Sequence, residues 1–238
     1  MKPIELLCTV TSFKTITPTV FELGFQASPS FSFQAGQFIS VIIPGAGPKG
    51  RDLRRAYSIA SSAEANSIEL CIKLVEGGPG TQYLFQLRPE DTFKAIGPYG
   101  DFTYQTPKTK QACFIATGTG IAPFRSMVLS QAYQAQPPLR AICLLGVRTE
   151  DELLYADVFK TIPKLTFVEA VSQPQAKWNG FKGRVTDYLR SMAQSESQWD
   201  WLNTDYYLCG NGSMIAEVKA FLAEKGVPKE SIHLEKYY

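Results

Sequence analysis

The stretch Arg54-Arg55-Ala56-Tyr57-Ser58-Ile59-Ala60-Ser61-Ser62 decides how the rest of the chain is interpreted. Its alternation of polar and apolar residues predicts a strand with one packed face. Within four positions it offers a guanidinium, an aromatic ring and a hydroxyl, from Arg55, Tyr57 and Ser58. A guanidinium matches the geometry of a diphosphate, a ring suits a flat heterocycle, and a hydroxyl suits a ring nitrogen. The same stretch also fits an ordinary strand with a solvated arginine and a half-buried tyrosine.

Composition indicates a folded protein of two domains. The chain has 238 residues, 45% of them hydrophobic and 19% charged, which is longer than one domain of usual size and typical of a globular protein. Its 24 basic and 22 acidic residues nearly balance, with a formal charge of +2. This balance argues against a nucleic-acid-binding module, which would carry a concentrated basic surface.

The five cysteines, Cys8, Cys71, Cys113, Cys143 and Cys209, are far apart in the sequence. Because no Cys-x-x-Cys motif occurs among them, we expect no zinc site and no iron–sulfur cluster. Scattered single thiols are typical of a reducing compartment. The N-terminal residues lack the apolar core of a signal peptide, and no apolar run reaches the length of about 18 residues that spans a membrane. We therefore expect a cytoplasmic protein.

The first hundred residues predict a small antiparallel β-barrel with one inserted helix. Short segments rich in β-branched and aromatic residues are separated by Gly, Pro and Ser. The predicted strands are 4–12, 19–26, 37–43, 54–61, 67–75 and 92–97, and the helix covers about 81–87.

Two glycine-rich loops lie in this half. The loop from Gly45 to Gly50 is flanked by basic side chains, and it is either a solvated hairpin tip or a surface for a phosphate or an acidic protein. The second loop, Gly77 to Gly80, precedes Thr81 and the helix. Glycines let backbone approach a ligand, and a helix N-terminus presents free N–H groups to an anion. Without a ligand, Thr81 would serve as an N-cap.

After the linker 104–110 the pattern changes to alternating strands and helices, which predicts a parallel sheet covered by helices. We place the domain boundary there, with residues 1–106 in the first domain and 107–238 in the second. The predicted strands are 111–117, 139–146, 164–172, 204–210 and 230–235, and the predicted helices are 122–134, 151–160, 184–193 and 212–225. Thr149 to Glu152 fits a capping box at the start of one helix.

Two turns in this half carry potential chemistry. Thr117-Gly118-Thr119-Gly120 follows an apolar strand and opens a helix, where an open α/β sheet binds phosphate. Cys209-Gly210-Asn211 ends a later strand and is followed by Met214 at the start of a helix. Each motif alone is weak, since the usual Gly-x-Gly-x-x-Gly signature is absent and a cysteine before a glycine is commonly a small buried residue.

Together and in this order, the four motifs resemble those of the ferredoxin–NAD(P)+ reductase family. The resemblance runs from Arg55–Ser58 through Gly80-Thr81 and Gly118–Pro123 to Cys209–Met214, and it covers nearly the whole chain. It implies a Greek-key β-barrel that binds FAD, followed by an α/β domain that binds a nicotinamide nucleotide. The implied reaction is hydride transfer from nicotinamide C4 to flavin N5 in an active site between the two domains, after which the electrons leave one at a time.

The resemblance also implies roles for individual residues. It assigns FAD contacts to Arg55, Ala56, Tyr57, Ser58, Cys71, Ile72, Lys73, Gly80 and Thr81. It assigns contacts with the nicotinamide nucleotide to Thr117, Gly118, Thr119, Gly120, Arg148, Ser172, Arg184, Gly210, Asn211 and Met214. Catalytic roles fall to Ser58, Cys209, Glu235 and Tyr238, and an aromatic chain end formed by Tyr237 and Tyr238 would cover the flavin. Glu235 lies one residue further from the chain end than the matching carboxylate of plant-type relatives.

Coenzyme and partner follow from the same resemblance. Arg148 and Arg184 match arginines that hold the 2′-phosphate in NADP-dependent relatives, whereas Gln173 replaces another such arginine. We therefore expect NADP, with NAD as the alternative if both arginines are merely solvated. The expected partner is ferredoxin or flavodoxin, with no nucleic acid and no membrane, and the protein is expected to be a monomer. The alternatives are the reductase component of an oxygenase, an NAD(P)H:flavin reductase, or a nucleotide-binding regulator without redox activity.

A Ser–His–Asp hydrolase is disfavoured by the single histidine, His233, because that constellation needs a histidine base beside a serine nucleophile.

Overall fold

The computed structural model describes residues 2–195 and 199–237. The chain divides into two units by contacts between its residues. The first unit comprises the residues up to Tyr104 together with Ala122–Gln131, and the second comprises Gln105–Ile121 and the residues from Ala132 onward.

The first unit is built on a six-stranded antiparallel sheet. Its strands are β1 (Ile4–Thr17), β2 (Val20–Ser28), β3 (Phe38–Ile43), β4 (Leu53–Ser58), β5 (Ile68–Lys73) and β6 (Thr92–Tyr99). They lie in the order β4-β3-β6-β1-β2-β5. An antiparallel bridge between Ile59 and Leu70 links the segment after β4 to β5, so the two edges of the sheet approach each other. This curled sheet confirms the predicted antiparallel barrel class.

Alternate residues of these strands form the core of the first unit. Examples are Val10 of β1, Phe25 of β2 and Val41 of β3, all fully buried. The period of two places them on the same side of the curled sheet, where burial removes their apolar surface from water. Helix α1 (Pro79–Gln86) contributes the buried side chain of Leu84 to this core.

The second unit contains a six-stranded parallel sheet. Its strands are β7 (Gln111–Thr117), β8 (Ala141–Val147), β9 (Leu165–Val171), β10 (Phe181–Lys182), β11 (Thr204–Gly210) and β12 (Ile232–Lys236). They lie in the order β10-β9-β8-β7-β11-β12. This parallel sheet confirms the predicted α/β class of the second half. Every residue of β8 and of β11 is buried, as expected for central strands covered on both faces.

The helices of the second half differ from the prediction in two places. The predicted helix 122–134 is divided into α2 (Ala122–Leu129) and α3 (Gln131–Ala135). The predicted helix 151–160 is reduced to a 3₁₀ turn (Glu150–Glu152) and a short α4 (Ala156–Phe159). Helices α5 (Val185–Gln194) and α6 (Gly212–Glu224) lie close to their predicted positions.

The capping box predicted at Thr149 is wrong. The Thr149 side chain makes no capping hydrogen bond, and the helix does not continue past Glu152. The physical reason lies in the next residues, since Leu154 is buried and Tyr155 has a left-handed φ of 56°. Burial of Leu154 and the left-handed turn at Tyr155 outweigh the local capping preference, because tertiary packing overrides propensity.

Within the described residues, we find no helix that is both long enough and apolar enough to cross a membrane.

Candidate functional site

The Arg55–Ser58 motif occupies the second half of β4 and ends the strand. Arg55 and Ala56 are exposed, Tyr57 is half-buried and Ser58 is buried. Burial raises the pKa of the Tyr57 phenol to about 12, although the nearby Arg55 charge opposes that rise. The phenol is therefore neutral at physiological pH, and an uncharged ring is available for packing against a flat ligand.

The start of α1 lies directly against this motif. A Cβ atom added to Gly80 would come within 2.8 Å of the Tyr57 hydroxyl and 3.0 Å of Arg55 Cγ. Only glycine allows this approach without displacement of the two side chains. The first N–H groups of a helix have no intrahelical partner, so those of Gly80 and Thr81 are available beside the exposed Arg55 guanidinium. Backbone donors and a guanidinium together suit a diphosphate.

Thr81 does not cap α1, because the helix begins earlier, with Gly78 as its N-cap and Pro79 in its first turn. The alternative assignment of Thr81 as N-cap is therefore wrong. Its hydroxyl accepts a hydrogen bond from the Val75 backbone N–H at 3.1 Å and lies 3.2 Å from the Gly78 carbonyl oxygen. Thr81 thus holds the glycine loop closed in front of the helix.

Strand β5 contributes the other residues expected to contact the flavin. Cys71 and Ile72 are buried, whereas Lys73 is exposed at the end of the strand. Cys71 pairs with Glu22 of β2, and Lys73 pairs with Val20. The strand period places Cys71 and Lys73 on the same face and Ile72 on the opposite face, toward the core.

In the second unit, the Thr117–Gly120 turn at the end of β7 packs tightly against the end of β11. A Cβ atom added to Gly120 would clash with the Cys209 carbonyl oxygen and lie 2.7 Å from its carbon. These are backbone atoms, which cannot rotate away. The close approach places the turn at the carboxyl ends of two neighbouring parallel strands, the position at which open α/β sheets bind ligands.

Thr117 and Asn211 join the two turns. The Thr117 hydroxyl oxygen accepts hydrogen bonds from the Asn211 backbone N–H at 3.1 Å and from its side-chain amide at 3.3 Å. Asn211 also caps α6, because its side-chain oxygen accepts a hydrogen bond from the Met214 backbone N–H at 2.8 Å. Between these residues Gly210 has a φ of +138° and lies against Thr117. The four residues therefore form one connected turn structure.

Cys209, Glu235 and Tyr237 come together beside these turns. Cys209 is paired with Glu235 across the parallel strands β11 and β12. The Tyr237 backbone N–H donates to the Gly210 carbonyl oxygen at 3.0 Å, and its side chain hydrogen-bonds with Cys209. Tyr238 lies outside the described residues, so the structure describes the predicted aromatic chain end only as far as Tyr237.

Cys209 is a neutral thiol in this setting. Burial raises its pKa well above the usual value, and the Glu235 carboxylate raises it further, while the hydrogen bond with Tyr237 has the opposite effect. A thiolate is the reactive form of cysteine. The environment of Cys209 therefore suits contact with an apolar ring and disfavours nucleophilic catalysis or disulfide exchange.

The predicted 2′-phosphate residues follow three neighbouring strands. Arg148 follows β8 and accepts a backbone hydrogen bond from Gln173 at 2.8 Å. Ser172 follows β9, and its backbone N–H donates to the Val147 carbonyl oxygen at 3.1 Å. Arg184 lies two residues beyond β10 and precedes α5. The structure therefore brings all three residues to the carboxyl edge of the same sheet.

Sequence reasoning missed Glu217, which affects the charge at this edge. Its carboxylate oxygen lies 3.7 Å from the Arg184 guanidinium, and its other oxygen accepts from the Thr186 hydroxyl at 3.3 Å. The Arg184 side chain is still 72% exposed. Glu217 lies on α6, 33 positions away in sequence, and no local pattern connects it with Arg184.

The residues present fit FAD in the first unit and a nicotinamide nucleotide in the second. For FAD, the fit rests on the cradle in which Gly80 contacts Arg55 and Tyr57, because a side chain at position 80 would fill it. For the nucleotide, it rests on the turn in which Gly120 contacts Cys209, with backbone donors at the strand ends.

Comparisons with known proteins identify an FAD-binding part and a nucleotide-binding part of the chain. Residues 8–104 match the family model of the oxidoreductase FAD-binding domain, and residues 114–220 match that of the oxidoreductase NAD-binding domain. Ferredoxin–NADP reductase B of Sorangium cellulosum is 30% identical over 236 residues, which cover 94% of each chain.

One similar relative is larger than this chain, and one solved structure matches it over its full length. The reductase component of phenol 2-monooxygenase from Pseudomonas sp. is 30% identical over 96% of this chain, which spans 64% of that protein. Among solved structures, a ferredoxin NADP+ reductase from Neisseria gonorrhoeae with bound FAD and NADP has the same fold, with a TM-score of 0.85, 22% identity and full coverage of both chains. The matched domains, their order and the full-length similarity show that the chain belongs to the ferredoxin–NADP reductase family of FAD- and nicotinamide-nucleotide-binding oxidoreductases.

Proposed function

We propose that this flavoenzyme oxidises NADPH and passes the electrons singly to ferredoxin or flavodoxin. The observation that carries this proposal is the packing of the Gly120 turn against Cys209. This packing brings the phosphate-binding turn of Gly120 together with the buried neutral thiol of Cys209 at one end of the parallel sheet. The full-length similarity to a ferredoxin–NADP reductase supports the choice of carrier.

In the first unit, the side chains act by binding and orienting FAD. Arg55 and the free N–H groups at the start of α1 hold the diphosphate through charge-assisted hydrogen bonds. Tyr57 offers its uncharged ring to the flavin. Ser58, buried at the end of β4, would supply a hydroxyl to the flavin ring. FAD, when bound, would supply the chemistry that converts a two-electron hydride transfer into single-electron steps.

In the second unit, the turn residues hold the nicotinamide nucleotide. Backbone N–H groups of Gly118 to Gly120 bind its diphosphate, assisted by the N-terminus of the helix that follows. Cys209 contacts the nicotinamide ring as a neutral thiol, and Glu235 keeps it protonated by disfavouring a second negative charge. Tyr237, fixed by its hydrogen bond to the Gly210 carbonyl, shields this region from water.

NADP is the favoured coenzyme because Arg148 and Arg184 lie at the same sheet edge as Ser172. Among the described residues no ion pair involves Arg148, so its charge is available to a phosphate. Arg184 retains its exposure despite the long contact with Glu217. Two guanidiniums and a hydroxyl suit the 2′-phosphate of NADP, whereas NAD offers no phosphate group to them.

A second candidate function is the reductase component of an oxygenase. It is supported by the phenol 2-monooxygenase reductase component, which is as similar to this chain as the ferredoxin–NADP reductase, at 30% identity. In that role the same cofactor chemistry would serve a different electron acceptor.

Anaerobic stopped-flow spectroscopy tests both parts of the proposal. The FAD-loaded protein is mixed with NADPH or NADH, and the reduced protein is then mixed with oxidised ferredoxin, flavodoxin or free FMN. We expect faster reduction by NADPH and rapid reoxidation by one of the two protein carriers. Absence of reduction by either coenzyme would refute the reductase function, and reoxidation by free FMN alone would refute the protein carrier.

A further inference from the structure

We propose that Arg125 is a positioning residue for the hydride-transfer reaction, anchoring α2 to the strands that carry the flavin-binding residues. This inference rests on the proposed function. Arg125 belongs to α2, which begins immediately after the Gly118–Ile121 turn. Both the helix and its charged partners belong to the first unit.

The Arg125 guanidinium binds two strands and the segment after a third. Its Nη1 donates to Glu69 Oε2 of β5 at 2.5 Å and to the Ala60 carbonyl oxygen at 2.9 Å. The Glu22 carboxylate of β2 lies 3.8 Å away. The side chains of Arg125 and Glu22 are each 14% exposed, and that of Glu69 is 28% exposed. Such partial burial strengthens the ionic contacts relative to surface pairs.

The partners of Arg125 are close to the residues assigned to the flavin. Ala60 lies two positions after Ser58, and its backbone N–H donates to the Glu69 carbonyl at 2.7 Å. Glu22 pairs directly with Cys71 across β2 and β5. By the strand period, Glu22, Cys71 and Glu69 share one face. Arg125 and its partners therefore hold in place the residues that follow Ser58 and the face of β5 that carries Cys71.

Apolar contacts hold α2 in place without setting its exact position. Phe124 packs against Phe102 with a centroid distance of 6.0 Å, and Met127 contacts Gly36. Apolar packing is non-directional, whereas the hydrogen bonds from Arg125 Nη1 to Glu69 and to the Ala60 carbonyl fix direction as well as distance. Loss of these hydrogen bonds would let the helix shift along its packed face, and the phosphate-binding turn is continuous with its first residue. Small displacements of reacting groups reduce rates by large factors.

Glu69→Gln is the main test because it preserves shape and hydrogen-bonding capacity while removing the charge, and Arg125→Lys complements it. Glu169→Gln is the matched control, since it removes a carboxylate that pairs with Lys160 at 2.9 Å on β9 of the second unit. All variants are studied with FAD bound. The measurements are hydrogen exchange of amides 122–129, the affinities for FAD and NADP+, and the rate of flavin reduction at saturating NADPH.

We expect both Glu69→Gln and Arg125→Lys to accelerate hydrogen exchange in α2. Both should also slow flavin reduction by about tenfold, because a small misplacement of the reacting groups lowers the rate of the reaction. The affinity for FAD should change less than threefold, and Glu169→Gln should match the wild type in every measurement. Flavin reduction at the wild-type rate in Glu69→Gln would overturn the proposal, even if exchange in α2 were faster. A wild-type protein that NADPH does not reduce would refute the proposed function instead, so the two failures are distinguishable.

Discussion

Gly120→Ala tests the nucleotide site of the second unit most selectively. The added Cβ would lie 2.7 Å from the Cys209 carbonyl carbon and 2.9 Å from Gly210 Cα, whereas ordinary contacts begin at 3.4 Å. The Cys209 carbonyl oxygen would lie closer still, so the turn must retreat from β11 by about 1 Å. Gly120 is not among the glycines with positive φ, so the effect is one of space and not of backbone strain.

The size of the effect follows from this displacement. Overpacking of this kind costs about 1–3 kcal/mol, which lowers Tm by about 2–4 °C for each kcal/mol in a chain of this length. Because the displaced turn supplies the diphosphate donors, we expect nucleotide affinity to fall by about 10- to 100-fold, each factor of ten corresponding to about 1.4 kcal/mol.

The assay is calorimetric titration of NADP+ into FAD-loaded wild-type and Gly120→Ala protein, with FAD content measured from visible absorbance. FAD content should not change, because the flavin residues belong to the first unit. Gly77→Ala is the control, since its φ of +69° brings backbone strain but no atom lies within 4 Å of the added Cβ. Nucleotide affinity within twofold of the wild type in Gly120→Ala would refute the assignment of this turn.

Three further predictions concern FAD, coenzyme choice and pH. Arg55→Lys should weaken FAD binding by about 10- to 100-fold, since a charge-assisted bidentate contact contributes about 1.5–3 kcal/mol. Fluorescence titration measures the affinity for FAD. Arg54→Lys, which changes a neighbouring exposed arginine, is the control and should change this affinity less than twofold. Arg148→Ala should lower kcat/KM for NADPH by about tenfold and leave that for NADH unchanged, and an equal loss with both coenzymes would contradict the role of Arg148 at the 2′-phosphate. Stability should fall as pH rises from about 9 toward 12, because burial raises the pKa of Cys8 from 9.0 to about 12 and that of Tyr57 from 10.0 to about 12. The unfolded chain releases these protons at lower pH than the folded protein, so the free energy of unfolding falls by about 1.4 kcal/mol per group and pH unit. A Tm that is constant between pH 8 and 10.5 would contradict the burial of these groups.

The sequence predicted the strands of both sheets well because their patterns reflect local physics. Alternation in the first half and continuous apolar runs in the second distinguish half-buried from fully buried strands. Strand β10 was missed because its two residues, Phe181 and Lys182, are too few to show a period. The break between Leu154 and Tyr155 was missed for a different reason, since burial in the folded core decides it.

Long-range contacts account for what the sequence did not predict at the site. The pairing of Cys209 with Glu235 depends on the register of two parallel strands, and periodicity does not specify register between distant segments. The contact of Glu217 with Arg184 and that of Arg125 with Glu69 join different elements in the same way. The glycines at 80 and 120 were visible in the motifs, but their close neighbours were not.

The central claim is that the Arg55–Ser58 strand and the start of α1 hold a flavin that NADPH can reduce. One anaerobic titration tests it most directly. The purified protein is supplied with FAD, freed of excess and titrated with NADPH while the visible spectrum is recorded. We expect stoichiometric retained FAD whose absorbance disappears on addition of NADPH, whereas a folded protein that retains no FAD, or whose bound flavin stays oxidised in excess NADPH, would contradict the claim.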